Sequence, residues 1–362
     1  MRRILLGVVV LAVGLAAVSL FTERSAAADW PHPFCLTRGV AGTAPSCDAA
    51  LAGKFPDLTK ANQVTFAVIG DMGTGEPEQR VVGAALAATC KTEGCRFVIA
   101  VGDNLYDGPK TTEDPRFQTW FREPYAGLDV PVWLSLGNHD WYGEPQAEID
   151  YTALAAKETK GPYWFMPGPI FTVPGLPPWL DLVAIDTQTI VQGPEAGKQS
   201  QVALLNAALP KDASSALTRW SLVYGHHPWR SSGAHGDTKA VSEFLAPWLN
   251  GTTIDAAFFG HDHHQEHYDA GNAQLFIQGA TAQTRSIAFD PKTRHCKTAE
   301  QRDCSRWAAL QVGFTIVRVK ADALTVKHYT VGTPSQPGPT QVAYTYAVGR
   351  AALASRQAPK GN

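Results

Sequence analysis

The chain has 362 residues, of which 44% are apolar, 10% aromatic and 18% charged. This composition excludes disordered, collagenous and coiled-coil classes and suffices for one large core or two modest ones. Thirty-one Lys and Arg against 33 Asp and Glu leave a net charge of −2, so no basic excess exists for a polyphosphate backbone and nucleic acid is not an expected partner.

Arg2 and Arg3, the uncharged run from Ile4 to Phe21 and Ala26-Ala27-Ala28 have the order of a secretory signal peptide over residues 1–28. No later run is long and apolar enough to span a bilayer, so the expected mature protein is secreted or periplasmic, without stable membrane association. Residues 29–63 read as an irregular lead-in containing Cys35 and Cys47. The six cysteines, at 35, 47, 90, 95, 296 and 304, include no C-x2-C pair. In an oxidising compartment they are expected as disulfides, and proximity favours 35–47, 90–95 and 296–304.

From Val64 short apolar runs alternate with helical stretches. Strands are predicted over 64–70, 97–102, 131–136, 180–186, 219–225, 254–260, 273–278, 313–319, 323–330 and 342–348. Helices are predicted over 77–90, 115–122, 144–157, 198–209 and 238–249. The alternation argues a layered α/β fold, with a strand-rich end that adds a second sheet or an antiparallel edge. One domain is expected over 64–348, followed by a flexible tail at 349–362.

Five strands end alike. Phe66 to Gly70 is followed by Asp71, Val98 to Gly102 by Asp103, and Trp133 to Gly137 by Asn138. Leu222 to Gly225 is followed by His226, and Ala257 to Gly260 by His261. A turn after a strand accounts for any one Gly-Asp or Gly-Asn, but not for two Gly-His ends or for His263 two residues beyond His261. Seven of the eleven histidines lie between 226 and 267. In open α/β sheets the functional crevice lies outside the carboxyl ends of the strands. Two carboxylates, an amide and three imidazoles there suit iron, zinc or manganese. They are too many for one ion with an open position, and a dinuclear site fits the count.

GDMG (70–73), GDNLY (102–106), GNHD (137–140), GHHP (225–228) and GHDHH (260–264) resemble the metallophosphoesterase series. Tyr106, three residues after Asp103, and GHHPWRSSGAHG (225–236) resemble its purple acid phosphatase branch, in particular the small tartrate-resistant acid phosphatases. The resemblance implies a β-sandwich of two mixed sheets flanked by helices. It further implies that Asp71, Tyr106 and His263 hold Fe(III), that Asp103 bridges, and that Asn138, His226 and His261 hold divalent iron, zinc or manganese. The implied activity is hydrolysis of phosphomonoesters by a hydroxide held on the metals, with His139 and His235 binding phosphate and protonating the leaving group. A phosphodiesterase or nucleotidase on the same scaffold, and a non-catalytic secreted metal- or phosphate-binding protein, are the alternatives. Met72 and His227 depart from the family pattern at positions that are not ligands. Asp140 is expected to orient His139. His227, His264 and His267 are read as outer or surface groups. Trp229, Trp164 and Tyr163 are read as core or rim packing, while His32, His295 and His328 carry no signal. The ligand pattern leaves the oligomeric state open.

Overall fold

The structure is a computed structural model that describes residues 55–210, 218–251, 253–287 and 294–357. The expected leader and the 35–47 disulfide lie outside the described residues. Two seven-stranded sheets form the centre. In the first, β1 (Gln63–Ile69), β2 (Phe97–Val101), β3 (Pro131–Ser135) and β4 (Tyr163–Phe165) run parallel. Its other half is the antiparallel ribbon β12 (Gly313–Lys320), β13 (Ala323–Thr330) and β14 (Gln341–Gly349), joined to β1 through β12. In the second sheet β6 (Leu180–Ala184), β7 (Trp220–Tyr224), β8 (Ala256–Phe259) and β10 (Gln274–Gln278) are parallel. The short β5 (Phe171–Thr172) closes one edge antiparallel, and β9 (Gln265–Asp269) with β11 (Cys304–Ala309) closes the other.

Alternation along each strand divides the apolar side chains between two interfaces. Phe66 and Val68 of β1, Phe97 and Ile99 of β2, Leu222 of β7 and Phe258 of β8 meet between the sheets. Their neighbours point outward. Ala67, Val98 and Leu134 pack under α1 (Pro77–Glu93) and a π-helical turn at Phe117–Arg122, with Val82, Leu86, Phe117 and Phe121. Val183, Val223 and Phe259 pack under α3 (Thr187–Gln192), α4 (Glu195–Ala208) and α5 (Lys239–Asn250), with Ile190, Leu204 and Leu245. The result is helix, sheet, sheet, helix, the expected two mixed sheets flanked by helices. α2 (Pro145–Ala155) lies beside β4. Disulfides join Cys90 to Cys95 and Cys296 to Cys304 as expected.

Several elements differ from the sequence reading. β4 and β5 are too short to stand out by pattern, and α3 is a six-residue helix capped by Asp186, whose Oδ1 accepts from the amides of Gln188 and Thr189. β9 reads Gln-Glu-His-Tyr-Asp, yet all five residues are buried. Its polar groups are met across the strands: Gln265 donates to the Tyr329 carbonyl, and Arg306 donates to Asp269. The tail is helical over α6 (Arg350–Gln357), which Arg350 anchors by pairing with Asp255 at 2.5 Å and lying over Trp220.

His267 and His328 are buried, not peripheral, and both pack on Phe276. Burial pushes His267 down to about 4 and His328 down to about 3. An unfolded imidazole protonates near the ordinary value of about 6.5. Below that pH the unfolded chain binds more protons than the native one, so stability falls as pH drops from about 6.5 toward these depressed values. Each histidine contributes about 2 kcal/mol of this loss between pH 6.5 and 5. His328→Phe should therefore reduce the difference in urea-unfolding free energy between pH 7 and pH 5 by about 2 kcal/mol. An unchanged difference would show that His328 titrates normally.

Candidate metal centre

The crevice forms where both sheets end on the same side. β1, β2 and β3 release Asp71, Asp103 and Asn138 from one sheet; β7 and β8 release His226 and His261 from the other. The first turns are tight: Asp71, Asp103 and His261 have φ of 53°, 52° and 68°, a left-handed conformation that costs L-residues about 1–2 kcal/mol. One bond between neighbouring strand ends of the first sheet and one across the sheets hold it. Asp71 N–H donates to Gly102 O at 3.0 Å, and His261 N–H donates to Asp71 Oδ2 at 2.9 Å.

Two trios of side chains result. Tyr106 Oη lies 3.0 Å from His263 Nε2, which lies 3.3 Å from Asp71 Oδ1. Asn138 Oδ1 lies 3.1 Å from both His226 Nε2 and His261 Nδ1. Asp103 belongs to both surroundings: its Oδ1 is 3.4 Å from His226 Nε2, and it clusters with Asp71 and His226 within 4.8 Å. All seven residues singled out as ligands are thus brought together. Asp71, Asp103 and His226 form the buried floor, while Tyr106, Asn138 and His261 are half-buried toward the opening.

The floor carries charge that the protein alone balances poorly. Asp71 Oδ1 is buried without a hydrogen-bond partner, and burial raises the Asp71 carboxyl despite His226 and His263. Burial would lower His226, but Asp103 and then Asp71 overcome it and carry the imidazole up to about 10. Burial opposes ionisation of Asp103 too, yet His226 and His139 hold it below the ordinary carboxylate range. His261, by contrast, is pushed down, first by burial and then by His226 and His227. A neutral imidazole, a tyrosine and an amide around two buried carboxylates make a donor set for hard or borderline cations. These residues fit two metal ions; binding would displace the His226 proton and repay the carboxylates' desolvation.

The histidines proposed as catalytic flank the opening. The His139 ring lies 4.4 Å from that of Tyr106, its amide donates to Asp103 Oδ1 at 3.0 Å, and its Nδ1 is buried without a hydrogen-bond partner. His235 is exposed, its ring 4.2 Å from that of His261. Its amide donates to Asp262 Oδ1 at 2.8 Å, and burial of the ring followed by Arg285 lowers its pKa against Asp262.

Asp140 does not orient His139. It accepts from the amides of Gly137, Asn104 and Leu105 at 2.7, 2.9 and 3.2 Å, tying the loops after β2 and β3 together. Burial next to Asp103 raises it to about 7. Glu148, raised well above the ordinary carboxylate range by burial and by Asp140, shares this pocket with Asn104, which donates to both carboxyls and to Ser135 O. Nothing in a one-dimensional pattern links Glu148 to residues 103–140. His227 is also internal: Thr187 Oγ1 lies 2.8 Å from its Nδ1, and burial, then His226, push it down to about 3. His264 is buried against Glu266 at 3.0 Å. Gln283 and Arg285, absent from any motif, reach Tyr106 and His235 from the loop after β10.

The calcineurin-like phosphoesterase profile matches residues 64–265, the span that contains this crevice. The chain therefore belongs to the calcineurin-like phosphoesterase family. Within it the chain is a purple acid phosphatase-like phosphoesterase, a hydrolase. It is 31% identical over 260 residues to purple acid phosphatase 17 of Arabidopsis thaliana, covering 66% of this chain and 75% of that protein. It is 27% identical over 256 residues to tartrate-resistant acid phosphatase type 5 of Sus scrofa, covering 64% and 72%. Among solved structures it is similar in fold to GAP50, described as the anchor in the inner membrane complex of Plasmodium. That match has a TM-score of 0.62 at 19% identity and covers 79% of this chain and 89% of the other. A purple acid phosphatase from yellow lupin seeds matches with a TM-score of 0.56 at 14% identity, covering 85% and 58%.

Close packing makes the site intolerant of added atoms. A Cβ on Gly137 would lie 2.2 Å from Asp103 Oδ1 and 2.4 Å from Asp103 N. Gly137→Ala should move the carboxylate between the two trios and lower metal content at least about tenfold while the circular dichroism spectrum stays folded. Full metal content in the alanine variant would refute the role given to this contact.

Proposed function

We propose that the protein is an exported acid phosphatase that hydrolyses phosphomonoesters at a dinuclear centre of Fe(III) and a divalent iron, zinc or manganese ion. One observation carries the reading: two trios, Asp71–Tyr106–His263 and Asn138–His226–His261, stand on either side of Asp103 in one crevice. Two ions held there would supply an activated water and neutralise charge on the phosphoryl oxygens. Asp103 is the bridging carboxylate in this scheme, held by His226 and by the His139 amide. Tyr106 is the ligand that distinguishes the iron side; burial near Asp71 and Asp103 raises its pKa, so without an ion it keeps its proton. A hard trivalent ion reverses that preference.

His139 and His235 face the opening from opposite walls, one beside Tyr106 and one beside His261. In this scheme each holds a phosphoryl oxygen or passes a proton to the leaving oxygen. Export is supported by the apolar leader with its Ala-Ala-Ala site and by the two described disulfides. Among the described residues no helix is long and apolar enough to cross a membrane.

Asp103→Asn should lower the content of both metals and reduce phosphomonoester turnover by at least about a hundredfold. Retention of two metals and near-normal turnover would remove Asp103 from the bridge. Tyr106→Phe should abolish the visible absorption of the iron-loaded protein at equal iron content; a surviving band would exclude Tyr106 as its source. Replacement of His235 or of His139 by Asn should reduce turnover of an alkyl phosphate more than that of nitrophenyl phosphate for whichever residue supplies the proton, because an activated leaving group departs as a stable anion. Equal losses on both substrates would assign that residue to phosphate binding. Faster turnover of a diester than of a monoester would replace the monoesterase reading.

A further inference from the structure

The loop after β10 brings a cation to the rim of the crevice that the ligand pattern does not use. Its base is rigid. Thr281 Oγ1 accepts from Gly70 N–H at 3.0 Å while Thr281 N–H returns a bond to Gly70 O, next to Asp71. Arg285 N–H then donates to the carbonyl of His263 at 2.9 Å. This fixes the Arg285 backbone against a candidate ligand, and its exposed side chain turns to His235, donating from Nη1 to Nε2 at 2.6 Å. Gln283, two residues earlier, comes close to Tyr106. The Arg285 charge acts on both Tyr106 and His235, favouring the deprotonated form of each.

Arg285 differs from the other arginines at this end. Arg230 pairs with Asp303 and Arg294 with Asp237, both from or beside the same surface. Among the described residues no carboxylate lies within ion-pair distance of Arg285. An exposed guanidinium has five donors in a fixed fork that matches phosphate and carboxylate oxygens; here the described hydrogen bonds of the side chain use one nitrogen. Its distance from the centre is set by a chain of contacts: Asn138 touches His261, the His261 ring lies tilted against that of His235, and His235 meets Arg285. A phosphoryl group held at Asn138 and His261 would therefore have the guanidinium one imidazole farther out.

We propose that Arg285 is a specificity-determining residue that forms a second anion subsite, favouring phosphate substrates whose leaving group carries another phosphoryl group over those whose leaving group is uncharged. The inference rests on the phosphatase reading above and deepens it. Hydrolysis is unchanged in kind: the terminal P–O bond breaks, water supplies the hydroxyl to the released phosphate, and the departing phosphoryl oxygen leaves beside Arg285. The cation holds that leaving phosphate in ground and transition state alike, so its effect falls mainly on KM.

The test uses the full-length, metal-loaded protein with metal content checked in every sample. In Arg285→Gln the ratio of kcat/KM for adenosine diphosphate to that for adenosine monophosphate should fall about tenfold, chiefly through KM of the diphosphate. Arg285→Lys should recover part of the ratio, since it keeps the charge and loses the fork. Added sodium chloride should narrow the ratio in the wild type and do so less in Arg285→Gln. Calorimetry with methylenediphosphonate, which is not hydrolysed, should give a Kd about tenfold weaker in Arg285→Gln. Equal loss on both nucleotides, or an unchanged methylenediphosphonate Kd, would overturn the proposal. Failure of the wild type to hydrolyse either nucleotide or phenyl phosphate would instead overturn the phosphatase reading, and the binding measurement would still decide on Arg285.

Discussion

Two carboxylates with almost no access to water, Asp71 and Asp103, set the terms for the rest of the molecule. Burying charge is costly unless it is paired and hydrogen-bonded. Here the pairing is supplied by imidazoles from a different sheet, His263 facing Asp71 and His226 facing Asp103. The arrangement keeps Asp71 Oδ1 without a hydrogen bond and holds His226 up near 10. Such a floor is compensated incompletely by protein alone, and the left-handed turns at Asp71, Asp103 and His261 that build it are held by hydrogen bonds between strand ends.

The two-sheet fold supplies this pairing because each sheet contributes one kind of candidate ligand. The acids and the amide follow adjacent parallel strands β1, β2 and β3; two of the imidazoles follow adjacent parallel strands β7 and β8. Packing Phe66, Phe97, Leu222 and Phe258 between the sheets sets the distance between the two ligand groups. Polar anchors then hold the loops: Asp140, Glu148 and Asn104 behind the acids, and Asp262 and Glu266 behind the 231–235 segment, where they receive Ser231, Ser232 and the His235 amide. These anchors are buried, so their acids act on backbone position and not on substrate.

The open rim has a different character. His139 and His235 are only partly shielded, and Arg285 reaches over them from a loop whose base is bonded to Gly70 and His263. The same loop thus steadies the first ligand turn and presents a cation to the approach. A packed floor with a charged, more open rim means that rim side chains can change without disturbing the buried turns at Asp71, Asp103 and His226.

What the sequence determined by itself was whatever repeats locally. Short apolar runs marked ten strands, and five glycine-terminated strands followed by Asp, Asn or His marked the candidate ligands, because a residue directly after a strand needs no distant information to be seen. The tertiary structure alone decided what depends on partners far along the chain. β9 is invisible to an apolar pattern because its buried Gln265, Glu266 and His267 are satisfied by Tyr329, Ser232 and Gln274. Asp140 next to His139 in sequence turns instead to the amides of residues 104 and 105, and Glu148 joins it from another element. His267 and His328, one from each sheet, acquire depressed pKa values only when the sheets pack and bury them against Phe276. Arg285 has no meaning in sequence until a loop 50 residues beyond His235 folds back to touch it. Periodicity and spacing record what the backbone does within one element, whereas pairing, burial and charge compensation are properties of surfaces that exist only after the elements pack.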